Sequence, residues 1–334
     1  MINNDTKKWP AMDDFERRDI NAGEGLLIHI GMPKCASSWL QKKLFVEEVN
    51  FFSEGSDLES SIRNRIGLIR ELIPENTPYF DKQKCLNYFL KYLIFPAFKK
   101  EMIPVFSHER LSGLQVVGSF DRVMIAERLN AVFPKAKVLI IIREQNDLIL
   151  SSYLQYVKGG GILSLKRYMT QKWVAPYLPK HNLDQFDFQK LVSLYTELFG
   201  LANVLFLPYE VLNKAPEKFV QRIKKFSGSE STIDSTYWEE RINQTSSFSN
   251  LAIRRKLNRF VYPNSSWISQ GAFFFTRKIR RVWPFLKLPK YFDRRIERKL
   301  KNEIDNYVQD AFVESNRELQ KITDIDLVDL GYKM

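Results

Sequence analysis

The stretch LLIHIGMPKCASSWLQ, residues 26–41, changes character halfway along. LLIHI is a continuous apolar run between Gly25 and Gly31, the pattern of a strand buried on both faces of a parallel sheet. From Ser37 onward, Trp39, Leu40, Leu44 and Phe45 fall at helical spacing. Between the two lie a Gly-Met-Pro turn, then Lys34, Cys35 and Ala36, with Ser37 and Ser38 opening the helix. Ligands of open parallel sheets sit beyond the carboxyl ends of the strands. A helix start placed there offers unpaired backbone N–H groups and a partial positive charge, which suit an anion. Lys34 adds a fixed cation and the two serines add hydroxyl donors. The small Ala36 and Ser37 let the main chain come close. The loop reads as a phosphate cradle.

It is not the loop of a nucleoside-triphosphate hydrolase. That loop reads G-x-x-x-x-G-K-[ST], with lysine directly before the hydroxyl residue that holds magnesium. Here the lysine comes three residues after Gly31 and is separated from Ser37 by Cys-Ala. The later strand KVLIII (137–142) runs into Arg143, where such enzymes usually place a metal-holding aspartate. No Cys/His cluster offers a metal site, so none is expected. A P-loop kinase acting on a small molecule is one rival reading. A non-catalytic protein that binds polyanions or membranes is the other.

Working outward, VNFF (49–52), IPVFS (103–107), KVLIII (137–142) and a segment of NVLFLPYE (203–210) read as further strands. Helical patterns cover 57–73, 82–95, 120–133, 146–158, FQKLVSLYTELFG (188–200) and APEKFVQRIKKFSG (215–228). That alternation predicts an α/β fold: a P-loop-like three-layer α/β/α arrangement with a central parallel sheet of about five strands. Residues 1–24 read as a polar tail without the apolar core of a signal peptide. Residues 25–334 then form a single domain whose part from 235 onward is helical and basic.

IIREQNDLILSSY (141–153) places Arg143 at the end of a strand and Ser151 in the early turns of the next helix. Both suit one anion, Arg bidentately and Ser through its hydroxyl. With PKCASSW (33–39), this segment resembles the two cofactor motifs of the sulfotransferases that use 3′-phosphoadenosine 5′-phosphosulfate (PAPS). The closest look is to bacterial enzymes that sulfate carbohydrates, and the similarity runs loosely over residues 25–333. The resemblance implies that Lys34 contacts the transferring sulfonate and the bridging oxygen. Cys35, Ala36, Ser37 and Ser38 would line the 5′-phosphate, Trp39 would flank the adenine, and Arg143 and Ser151 would grip the 3′-phosphate. PAP is then the product, and no metal is required. Ala36 stands where glycine is common in these enzymes, and the serines stand where threonines are common. Arg254 or Arg255 is a candidate for further cofactor contacts.

Sulfonate transfer needs a base near the acceptor hydroxyl and positive charge near the leaving oxygen. PVFSHERLSG (104–113) supplies His108 and Glu109 just past a strand, on the same sheet edge. Adjacent residues of an extended chain face opposite ways, so only one of them points at the acceptor. His108, whose ordinary pKa of about 6.5 lies near neutrality, is the expected base. Glu109 orients it or replaces it, and would need burial to serve as well. His29 reads as a core histidine and His181 as a loop residue.

The formal net charge is +12, and between Arg254 and Lys301 fifteen Lys or Arg face two acids, Asp293 and Glu297. Such a stretch attracts polyanions or anionic lipid. Interleaved Trp267, Trp283 and Tyr291 suit sugar faces, so the expected acceptor is a carbohydrate: a polysaccharide, a glycolipid or a lipid-linked glycan. Nucleic acid is not expected, since no recognisable module accompanies the charge. The two cysteines cannot build a disulfide framework, and no long uncharged apolar run is present. The expected location is cytoplasmic, with peripheral contact at the inner membrane face.

Overall fold

The computed structural model describes residues 23–53, 66–73, 77–115, 118–171, 173–175, 178–179, 183–231, 248–261 and 290–334. Five strands, β1 (Leu27–Gly31), β2 (Phe51–Phe52), β3 (Ile103–His108), β4 (Lys137–Ile142) and β5 (Val204–Pro208), form one sheet in the order β2-β3-β1-β4-β5. Every pairing in it is parallel. This is the α/β fold that the alternation predicts. β1 is central and wholly buried, with Ile30 opposite His108 and Gly31 opposite Ile141. The chain goes from β1 to the β3 side and later reaches β4 on the other. The reversal of strand order, where ligands of such sheets bind, therefore falls at β1.

The strand limits follow composition. KVLIII forms β4 over the expected residues, because β-branched side chains fill both faces of a covered sheet. VNFF contributes only Phe51–Phe52, since Asn50 adopts a left-handed backbone (φ 62°) that ends the preceding turn. The expected helix over 82–95 is α-helical at Lys82–Phe89, widens to a π-helical turn at Leu90–Ile94, and resumes at Phe95–Lys99. Of the helix expected over 57–73, residues 66–72 are helical and 54–65 lie outside the described residues.

By internal contacts the chain divides into two compact units. The first takes residues up to Gln115, Ser119–Ile142 and Phe188–Glu240, and contains the five-stranded sheet. Its core is aromatic: Phe89 packs edge-on to Phe106 and tilted against Phe133, both at 4.8 Å between ring centres. The second takes Val116–Gly118, Arg143–Asp187 and Arg241–Met334. Helices Gln145–Lys158, Phe248–Val261, Lys290–Val308 and Val313–Lys321 dominate it. Buried side-chain hydrogen bonds tie them, as between Gln145 Nε2 and Asn316 Oδ1 at 2.6 Å. Tyr153, Tyr156 and Tyr168 cluster there with ring centres 5.0–6.3 Å apart. Among the described residues no helix is long and apolar enough to cross a membrane.

Candidate active site

The first unit carries the loop that the sequence reads as a phosphate cradle. After β1 the chain turns through Cys35 N–H donating to the Met32 carbonyl at 3.2 Å. Lys34 and Ala36 both take left-handed backbone angles, φ 69° and 62°. Such angles cost a non-glycine residue roughly 1–2 kcal/mol, and they turn backbone N–H groups into the concave arrangement that receives anions. This is the physical reason glycine is common where Ala36 stands. The helix that follows, Ser37–Trp39, has no side-chain cap at its N-terminus and continues into a π-helical turn, Leu40–Leu44.

Ser37 is only 4% exposed, and its Oγ has no hydrogen-bond partner among the described residues. A buried hydroxyl left unsatisfied costs about 1–3 kcal/mol, so it marks a place where a ligand oxygen fits. Ser38 is exposed, Cys35 is fully buried, and Trp39 is buried at 7% exposure, which leaves little of its indole to offer an adenine. These features fit a phosphate group: an uncapped helix start, an orphaned buried hydroxyl and Lys34.

The loop meets the segment after β3. A Cβ on Gly31 would sit 2.8 Å from Ser37 Oγ and 3.4 Å from both N and Cα of Glu109. Gly31 thus allows three pieces of chain to converge. Ser112 Oγ, which the sequence reading missed, donates to the carbonyls of Gly31 (3.2 Å) and Glu109 (2.9 Å) and fastens the two segments together. Its only sequence signal is a small polar residue before Gly113, which takes φ 96°.

His108 and Glu109 have different surroundings. The Arg110 N–H donates to His108 Nδ1 at 2.9 Å. Nδ1 therefore presents its lone pair to the backbone, and the proton of the neutral ring sits on Nε2. Glu109 is half-buried, and that burial pushes its carboxyl above the usual glutamate range, while the nearby Lys34 ammonium pulls it down. The structure thus places Glu109 and Lys34 within electrostatic reach of each other. His29 is fully buried in β1, as expected of a core histidine.

Arg143 and Ser151 belong to the second unit. Arg143 directly follows β4, and Glu144 caps the next helix by accepting the N–H groups of Asn146 (3.0 Å) and Asp147 (2.8 Å). Arg143 Nη2 lies 3.9 Å from Asp147 Oδ2, and Lys301 Nζ lies 3.4 Å from the other oxygen of that carboxylate. Ser151 is half-buried on the same helix, one turn beyond Asp147. Arg255 lies near enough to Tyr153 to act on it electrostatically, while Arg254 donates to the Lys158 carbonyl. His181, Trp267 and Trp283 lie outside the described residues, as do 262–289 of the basic stretch, and nothing is described of the Tyr291 side chain.

A crystal structure described as a sulfotransferase from Alicyclobacillus acidocaldarius is similar at a TM-score of 0.44 and 14% identity, over 70% of this chain and 94% of that one. No curated protein matches the sequence. The family model described as the sulfotransferase domain matches residues 26–316, a span that begins at the strand feeding the phosphate loop and takes in both sequence motifs. The chain belongs to the sulfotransferase family, enzymes that take their sulfonate from PAPS.

Proposed function

We propose that this sulfotransferase moves sulfonate from PAPS to a carbohydrate hydroxyl by in-line attack, with Glu109 as the base. The observation that carries the choice of base is the Arg110 N–H bound to His108 Nδ1. His108 would have to lose that bond to accept a proton, whereas Glu109 has a carboxylate made more basic by burial. His108 instead presents an Nε2–H able to donate. PAPS supplies an activated sulfonate on a phosphosulfate. Lys34 holds positive charge beside the departing phosphate oxygen, and Ser37, Ser38 and the loop amides hold the 5′-phosphate in place. Arg143 and Ser151 hold the 3′-phosphate.

A glycan or lipid-linked sugar as acceptor is supported by the basic C-terminal stretch. In its described part, Arg294, Arg295, Arg298, Lys299 and Lys301 are exposed on one helix. This charge suits an acidic polysaccharide or an anionic membrane surface that carries the acceptor. The test is incubation with PAPS and a panel of neutral, acidic and lipid-linked glycans, followed by mass spectrometry. A sulfonate added to a sugar hydroxyl supports the reading. Modification confined to non-carbohydrate alcohols would replace the acceptor class.

A further inference from the structure

His29 is the buried titratable group that the proposed chemistry leaves unused. It lies in β1, two residues before Gly31, and its Nδ1 is 2.8 Å from Ser107 Oγ on β3. The same Oγ accepts a hydrogen bond from Gln41 Nε2 at 3.0 Å, and Gln41 Nε2 also lies 3.1 Å from the Ser107 carbonyl. Gln41 sits in the π-helical turn that directly follows the phosphate-loop helix. Ser107 comes two residues before Glu109. Three side chains thus tie β1, the π-helical turn behind the loop and β3: β1 ends in Gly31, the turn continues the helix that opens at Ser37, and β3 runs directly into Glu109.

The arrangement is costly for a core. His29 Nε2 is buried without a partner among the described residues. If Ser107 donates to Nδ1, the ring proton sits on Nε2 with no acceptor. If Nδ1–H donates to Ser107, the serine hydrogen has no partner among the described residues. Either way one buried polar group goes unsatisfied, at about 1–3 kcal/mol, at a strand position where valine or leucine would pack without penalty. Buried polar networks that survive at a cost fix one geometry of the elements they join. Burial also holds the His29 pKa down to about 3, so the ring is a neutral connector at any working pH. The Phe45 ring, 5.6 Å away between centres, packs against it.

We propose that His29, Ser107 and Gln41 form a positioning network that sets the distance between the phosphate loop and Glu109. They act through the loop and the base and do not touch the substrate. The inference rests on Glu109 and Lys34 acting as proposed above. The test compares Ser107→Ala, Gln41→Leu and His29→Ala with Ser107→Thr, which keeps the hydroxyl. Cooperative unfolding is checked first, and if His29→Ala does not fold the other two variants decide.

A misplacement of about 1 Å between reacting groups costs on the order of a hundredfold in rate. The expected result is therefore a loss in kcat of roughly 10- to 100-fold in Ser107→Ala and Gln41→Leu. PAP affinity, measured by calorimetry, should change far less, and Ser107→Thr should restore most of the rate. Folded variants with wild-type kcat, or with PAP affinity reduced as much as kcat, overturn the proposal. Hydrogen exchange of residues 34–44 in the ligand-free protein reads the same network without a cofactor. Faster exchange confined to that segment is expected, and unchanged exchange overturns the proposal. A wild type that neither binds PAP nor transfers sulfonate counts against the proposed function alone, and the exchange result still decides the network.

Discussion

The Arg110 N–H donates to His108 Nδ1 at 2.9 Å, and this bond gives two sequence neighbours, His108 and Glu109, different surroundings. One ring nitrogen is engaged by the backbone and the other carries the proton. The adjacent carboxyl is half-buried and made more basic by that burial.

The first prediction concerns the pH profile. A base must be deprotonated, so kcat/KM should rise with pH through the pKa of the catalytic group. For Glu109 that limb lies above the ordinary glutamate value, because desolvation outweighs Lys34. Glu109→Gln should lower kcat by about 10²–10⁴-fold, while His108→Gln should keep the acid limb. Loss of the limb in His108→Gln, with Glu109→Gln near wild type, would reassign the base.

A second prediction uses the orphaned hydroxyl of Ser37. Ser37→Ala removes a buried group with no partner among the described residues, so thermal stability should hold or rise. PAP affinity should fall by about tenfold, the worth of one hydrogen bond to a charged group. Calorimetry and a thermal scan on the same sample check both parts. Lower stability with unchanged affinity would mean that the hydroxyl serves the fold.

Backbone strain gives a third. Ala36 takes φ 62°. Glycine there relieves roughly 1–2 kcal/mol but adds unfolded-state entropy worth about 0.4–1 kcal/mol, so Ala36→Gly should raise Tm slightly. Gly31→Ala acts the opposite way, since its Cβ would meet Ser37 Oγ at 2.8 Å and Glu109 backbone at 3.4 Å. Its PAP affinity and kcat should both drop at least tenfold in a protein that still folds, as titration calorimetry and steady-state kinetics would read.

The fourth prediction follows from His29. Its folded pKa, about 3, lies below the unfolded value of 6.5. Between these limits the unfolded chain binds the extra proton, so the His29 contribution is present above about pH 6.5 and is lost as pH falls toward 3. The slope is at most about 1.4 kcal/mol per pH unit. A folded His29→Leu variant should show a flatter fall of Tm with acid. Parallel curves for the two proteins would contradict the assignment.

Much of the fold was legible because the strands are chemically plain. LLIHI is apolar apart from His29 and KVLIII apart from its leading lysine, a composition that suits strands covered on both faces. The turn that carries Lys34, Ser37 and Ser38 was legible because an apolar run there gives way to helical spacing. The π-helical turns at 40–44 and 90–94 were not, since their residues have ordinary helical composition. The surroundings of His108 and Glu109 were equally hidden. They depend on a backbone N–H two residues away and on burial, and neither leaves a trace in residue type. Ser112 and Gln41 were missed for the same reason: a serine and a glutamine acquire meaning only from the carbonyl or hydroxyl that they reach.

The most direct measurement is transfer from sulfur-labelled PAPS to a glycan acceptor by the wild type, Lys34→Ala and Glu109→Gln. The account predicts label on the glycan with the wild type and losses of at least a hundredfold in rate for each variant, while Glu109→Gln still binds PAP. Wild-type rates in both variants, or a wild type stabilised by ATP with magnesium and indifferent to PAP, would contradict it.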